Sequence, residues 1–286
     1  METKKSITDS VSENKEIKAI LRVPKQEKIW TALEIENAFK SGNKKFAKIT
    51  STNLIFKDKY LDGVEFLGST LTNATLRKAK ISFINFSGSN LENALFDNSK
   101  ANSINFSGAT LTNAIFINSN FRRANFTMAK LTDTQFLNSS FPISKFFHSD
   151  LSKSLFLKMN FNLSHFEYAH IIDSHFENAY FIDSHFEYSR IENTTFKNVD
   201  ITSAFFRCAK LNQVSFLNTD LKGTRFTSTV FKNVDLQGAN LEDAYFKNAT
   251  LINVNLTNAK LTNADFTGVD LTNVIYDLEE MKKAKR

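Results

Sequence analysis

From Phe56 to Tyr276 a large apolar residue stands at every fifth position without a slip. The register opens Phe56, Leu61, Phe66, Leu71, Leu76 and closes Leu256, Leu261, Phe266, Leu271, Tyr276; of its 45 positions only Ala101 is not Leu, Ile, Phe or Tyr. A second column, two residues earlier, is small: Ala74, Ala79, Ser89, Ala94 and Ser99 near one end, Ala239, Ala244, Ala249 and Ala259 near the other. A period of five fits neither the 3.6 of a helix nor the 2.0 of a flat strand. Held over two hundred residues, it demands a chain that coils on itself with a short fixed repeat.

The closing units Ala264-Asp-Phe-Thr-Gly268 and Val269-Asp-Leu-Thr-Asn273 resemble the pentapeptide-repeat family, whose unit is A(D/N)(L/F)(S/T)X. The resemblance covers about three quarters of the chain in unbroken phase. It implies an all-β fold, a right-handed quadrilateral parallel β-helix with one pentapeptide per side and twenty residues per turn. Elementary packing agrees. Every fifth side chain fills such a tube, small residues let its corners close, and backbone groups pair with the coils above and below at about 4.8 Å. The register then makes about eleven coils and a rod on the order of 50 Å long. Counted by twenties, Phe66 to Phe266 form one all-Phe side, Phe96 to Phe216 lie opposite, and the other two sides are mainly Leu and Ile.

Composition supports an ordered chain. Of 29 Phe, 25 fall in the five-residue phase once Phe46 is counted with it, and Pro and Gly number only 2 and 8. The lone Cys208 excludes an internal disulfide and points to a reducing, cytoplasmic compartment. No apolar run approaches the roughly 20 residues of a membrane span, so membrane insertion is not expected. The polar N-terminus has no apolar signal core, which leaves signal-independent secretion open. The net charge of +6 sits mostly in residues 1–55, with 11 Lys/Arg against 7 Asp/Glu; residues 56–276 are nearly even at 21 against 20.

Four segments follow. Residues 1–24 are expected to form a disordered tail. Residues 25–55 form an N-terminal cap whose amphipathic helix carries Ile29, Trp30, Leu33, Ile35 and Phe39 and stops at Gly42. Residues 56–276 are the β-helix. Residues 277–286 are a C-terminal cap helix and tail, where Asp277 and Glu280 read as an N-cap signal and Leu278 and Met281 cover the last coil. A homodimer through the C-terminal end is the alternative there, because the resemblance extends to members that pair in that way.

Nothing in the sequence reads as an enzyme. It has no Gly-rich phosphate loop, paired-Cys site, HExxH or G-x-S-x-G, and a tube filled with side chains has no deep pocket. Catalytic, cofactor and metal residues are therefore expected to be none. The middle of the chain departs from the repeat unit in another way. Ser-His-Phe-Glu-Tyr occurs at 164–168 and again at 184–188, twenty residues apart and so on one side. The outward column beside it reads Met128, His148, Tyr168, Tyr188, Cys208, with Phe147, Leu163, Tyr180 and Phe205 around it. A contiguous aromatic patch of this kind marks a protein interface. Met128, Phe147, His148, Leu163, His165, Glu167, Tyr168, Tyr180, His185, Glu187, Tyr188 and Phe205 are the candidate partner-binding residues.

His165 and His185 are expected to stack about 5 Å apart. With Glu167 and Glu187 they offer metal-ligand types, but a plain surface ladder is the commoner arrangement. Cys208 has no activating neighbour in sequence. Arg122, Arg123 and Lys130 form a basic spot too small to indicate nucleic acid. The acidic residues Glu167, Asp173, Glu177, Asp183, Glu187 and Glu192 divide among the sides, so no single acidic stripe is expected.

These features point to a non-catalytic scaffold that presents a rigid surface to a protein partner of unknown identity, with the central aromatic patch as the interface. The resemblance supplies two narrower alternatives. One is a secreted bacterial effector that binds a host protein. The other is a DNA-gyrase or topoisomerase-binding protein of the quinolone-resistance type, whose acidic rods imitate DNA; the even charge and unbroken phase of this body depart from that type.

Overall fold

The computed structural model describes residues 29–286. The expected tail at 1–24 and the start of the N-terminal cap lie outside them. The chain is a parallel β-solenoid. Each residue pairs with the one twenty positions on, from Lys45 with Glu65 to Asp265 with Lys285 along one side. Four sides follow from that register, and they are numbered here in chain order from the one containing Phe66. Side one is held by single bridges, whereas side three carries six paired strands from Leu95–Asp97 to Thr195–Lys197. Side two carries six more, from His170–Ile172 to Asp270–Thr272.

The five-residue register lines the interior as the sequence demands. On side one, rings from Phe66 to Phe206 stack with centroids 4.6–5.4 Å apart. On side three, Phe96 to Phe216 stack at 4.3–4.9 Å. Side four holds a third Phe column in the central coils, Phe121 to Phe181. Its rings meet the two ladders edge-on, as in Phe136–Phe141 at 83° and Phe161–Phe166 at 81°. Such edge-to-face contacts lock three columns together. Phe121 reaches back to Phe96 and Phe106, filling the space that Ala101 leaves.

The small column sits at the corners and is buried. Where it is Ser or Thr, the hydroxyl mostly donates to a carbonyl twenty-three residues back, whereas Ser149 and Ser189 donate to the carbonyls of Phe146 and Phe186 three residues back. Ser164 reaches Phe141 O at 2.9 Å and Thr229 reaches Phe206 O at 2.6 Å. The buried hydroxyls are thereby satisfied. Two residues past each core position the chain turns through the left-handed region. From Lys48 to Asn273 every such non-glycine residue has φ between 47° and 60°.

The ends differ from expectation. Coiling begins before Phe56, since Phe46 and Ser51 are already buried in register, and the number of turns departs slightly from eleven. At the other end Leu271 is exposed and Tyr276 only half-buried, because no further coil lies over them. Helix α1 (Ala32–Lys40) closes the N-terminal end. Thr31 and Glu34 form a capping box, Ile35 is buried, and Trp30 meets Phe46 edge-on at 5.5 Å. Ile29 and Leu33, expected on its apolar face, are exposed.

Helix α2 (Leu278–Met281) caps the other end with Met281 buried, but Leu278 is exposed rather than laid over the coil. Asp277 makes no side-chain cap. Its carboxylate accepts the Asn258 N–H at 2.7 Å, and that of Glu280 accepts the Leu261 N–H at 3.2 Å. The carboxylates thus satisfy donors left open by the last coil. Among the described residues no helix is long and apolar enough to cross a membrane.

Candidate functional site

Eleven of the twelve candidate residues fall on side one of the central coils or its two corners. The corner between sides one and two carries Met128, His148, Tyr168 and Tyr188 in successive coils. His148 stacks on Tyr168 at 4.7 Å and Tyr168 on Tyr188 at 4.9 Å, nearly parallel. Met128 is 70% exposed, and both tyrosines keep more than two fifths of their surface in solvent. On the flat of side one, His165 stacks on His185 at 4.8 Å and His185 on Phe205 at 4.5 Å. Phe147 lies against His165 at 5.4 Å. Leu163 stands exposed at the corner between sides four and one. Tyr180 is separated from the rest: it projects from side four, bridged between Asn160 and Asp200.

The flat ladder runs further than Phe205. Arg225 lies over the Phe205 ring at 4.9 Å and near the Tyr245 ring at 6.0 Å. Sequence reasoning missed both residues, although counting on by twenties from Phe205 reaches them. Cation–π stacking between rungs extends the array without a gap.

Backbone geometry adds what the sequence pattern did not contain. Met128, His148, Leu163, Tyr168 and Tyr188 all occupy the left-handed turn position, with Tyr168 and Tyr188 at φ 60°. In earlier coils of the column of Met128, His148, Tyr168 and Tyr188 that position is Gly68, Gly88 and Gly108. A bulky residue there costs about 1–2 kcal/mol relative to its usual conformation.

Beneath the ladder, His165 Nδ1 lies 2.9 Å from Glu167 Oε1, and His185 Nδ1 lies 3.0 Å from Glu187 Oε1. The second oxygen of each carboxylate is buried without a partner among the described residues. On side three the equivalent glutamate is better supplied. Glu177 is held below the usual carboxylate range by a hydrogen bond from Lys197 and then one from His175.

His165, Glu167 and His185 bring ligand atoms within 4.8 Å of one another. The imidazoles are stacked only 11° from parallel, so their ring-plane lone pairs run side by side and do not converge. Two nitrogens on one tetrahedral zinc sit roughly 3.3 Å apart. The arrangement fits a ladder, not a shared metal. A shallow notch of about 450 Å³ opens at the next corner, lined by Ser103, Arg123, Ile143 and Lys145. The interior is filled by side chains.

A four-sided parallel solenoid with a twenty-residue register and a filled interior defines a β-helical repeat protein. The chain belongs to the pentapeptide-repeat family: the family's repeat region matches residues 169–246, and its eight-copy repeat matches 60–93, 104–141 and 239–275. No curated protein is similar enough to match. Similar solved structures include HetL, a pentapeptide-repeat protein involved in heterocyst differentiation regulation from the cyanobacterium Nostoc sp. strain PCC 7120. It is 19% identical over 84% of this chain and 98% of its own, with a TM-score of 0.43. QnrB1, a plasmid-mediated fluoroquinolone resistance protein, is 18% identical over 80% and 93%, with a TM-score of 0.35. A mannuronic acid-specific family 6 polysaccharide lyase from human gut microbiota is 8% identical over 90% and 85%, with a TM-score of 0.42.

Proposed function

We propose that this protein is a non-catalytic scaffold and that side one of its central coils captures a protein partner. The observation that carries this is the corner column itself. Glycine, which the turn favours, gives way to Met128, His148, Tyr168 and Tyr188 in four successive coils, all facing outward. Folding gains little from that exchange, because the inner register is already complete beneath it. Tyr and Phe are the anchors that protein interfaces select, and a fixed spacing near 4.8 Å presents them as a rigid, pre-ordered array. The unpartnered oxygens of Glu167 and Glu187 lie directly under the same surface.

Affinity capture from lysate with mass spectrometry tests the reading. The full chain is compared with a variant carrying Phe147→Ser, Tyr168→Asn and Tyr188→Asn. A partner held by the wild type and released by the variant supports it; identical captures refute it. The nearly even charge of the repeat body gives no ground for imitation of DNA, so added protein is expected to leave gyrase supercoiling unchanged.

A further inference from the structure

Side four carries an unusual charge distribution. Its outward column reads Lys80 and Lys100 toward the N-terminal end, then uncharged Asn120, Ser140, Asn160 and Tyr180, then Asp200 and Asp220. At the adjoining corner the same order repeats: Arg123, then Ile143 and Leu163, then Asp183. Among the described residues Lys100, Arg123, Asp183, Asp200 and Asp220 form no ion pair, although other charged residues of the rod do. Along these two columns, unmatched charges of opposite sign are thus sorted to opposite halves of the side; at its other corner Lys78 and Lys158 stand among Asn positions and do not follow the order.

We propose that side four pairs with side four of a second copy, the two rods antiparallel. The two-fold axis passes between the coils of Ser140 and Asn160. A two-fold lying in the interface and crossing the rods sets each column against itself in reversed order. Lys100 then faces Asp200 of the other copy, Lys80 faces Asp220, and Arg123 faces Asp183. Ile143 meets Leu163 at the centre, and Tyr180, set apart from the aromatic ladder, meets Asn120. Each opposition occurs twice. The complementary stretch spans seven coil spacings, about 34 Å. Lys222, on the acidic half, is already held by Glu242 at 3.3 Å. A like-charged opposition, Asp62 against Glu242, falls at the outer ends where solvent screens it. Charge matching of this kind fixes orientation and register more than it adds affinity, so the pair is a weak, salt-sensitive dimer. It is distinct from a contact through the C-terminal coil and leaves most of side one free.

Sedimentation of the full chain tests the pairing, at about 100 micromolar, a concentration that populates a weak complex. The wild type is expected to be a dimer at low salt and to dissociate at about 0.5 M salt, where the screening length falls to about 4 Å. Lys100→Glu with Arg123→Glu makes both halves acidic, and Asp183→Arg with Asp200→Lys makes both basic. Each variant alone should weaken the dimer about tenfold or more, and an equimolar mixture should restore it. Because Asp200 also accepts from Thr202 within its own turn, Arg123→Glu mixed with Asp183→Arg gives a second arm that leaves Asp200 intact. A wild type that stays monomeric at low salt overturns the proposal. So does a dimer that survives both charge variants, since it would lie on another surface.

Discussion

The corners of the solenoid present one backbone turn in two chemical versions. At the two corners that flank side three, the left-handed position is mostly Asn, Asp or Gln. Their side chains bond from coil to coil: Asn138 to Asn118 at 2.7 Å, Asn253 to Asn233 at 2.8 Å, Asn273 to Asn253 at 3.2 Å. Asn tolerates that conformation better than most residues and adds a rung to the ladder. At the two corners that flank side one, the central coils carry Met128, Ile143, His148, Leu163, Tyr168 and Tyr188 at the same φ. The fold is therefore indifferent, within a few kcal/mol, to what most corners display. One face carries hydrogen-bonded Asn rungs, and the other carries exposed aromatic and aliphatic side chains.

That contrast can be broken or sharpened at single residues. The largest effect lies inside. Phe166, buried between Phe146 at 4.6 Å and Phe186 at 4.9 Å, is two residues from Tyr168. Phe166→Ala should cost about 3–5 kcal/mol, read as a shifted denaturation midpoint. A smaller loss is expected at a scaffold corner. Asn138→Tyr removes the bond to Asn118 and places a bulky residue in a left-handed turn, at a cost of about 1–2 kcal/mol. The smallest effect is expected at the aromatic corner. Tyr168→Asn gives up stacking worth about 0.5–1.5 kcal/mol and relieves strain of similar size, so stability should stay within about 1 kcal/mol of wild type. A loss at Tyr168 as large as that at Phe166 would erase the distinction between core and skin.

Most of the fold was legible because an inward residue every five positions is a hard packing constraint that Phe, Leu and Ile satisfy visibly. The 4.8 Å stacking of His165 on His185 followed from the twenty-residue turn. The ends were less legible, because capping depends on which donors the last coil leaves open. Asp277 and Glu280 resemble a helix cap in sequence yet serve the backbone of Asn258 and Leu261. The candidate surface was visible as outward aromatics. That Tyr168 and Tyr188 stand in a glycine-favouring turn was missed, although the Gly and Asn recurring two residues after each core position, as at Gly68, Gly88 and Gly108, mark that turn in the sequence. Tyr180 was grouped with them by proximity in sequence, but five-residue steps carry it around the corner to side four.

The central claim is that the outer ladder of side one serves binding and not folding. It is tested most directly by measuring thermal stability and partner capture together in the Phe147→Ser, Tyr168→Asn, Tyr188→Asn variant. The account predicts an unchanged or slightly raised melting temperature with capture lost. A melting temperature that falls while capture persists would contradict it.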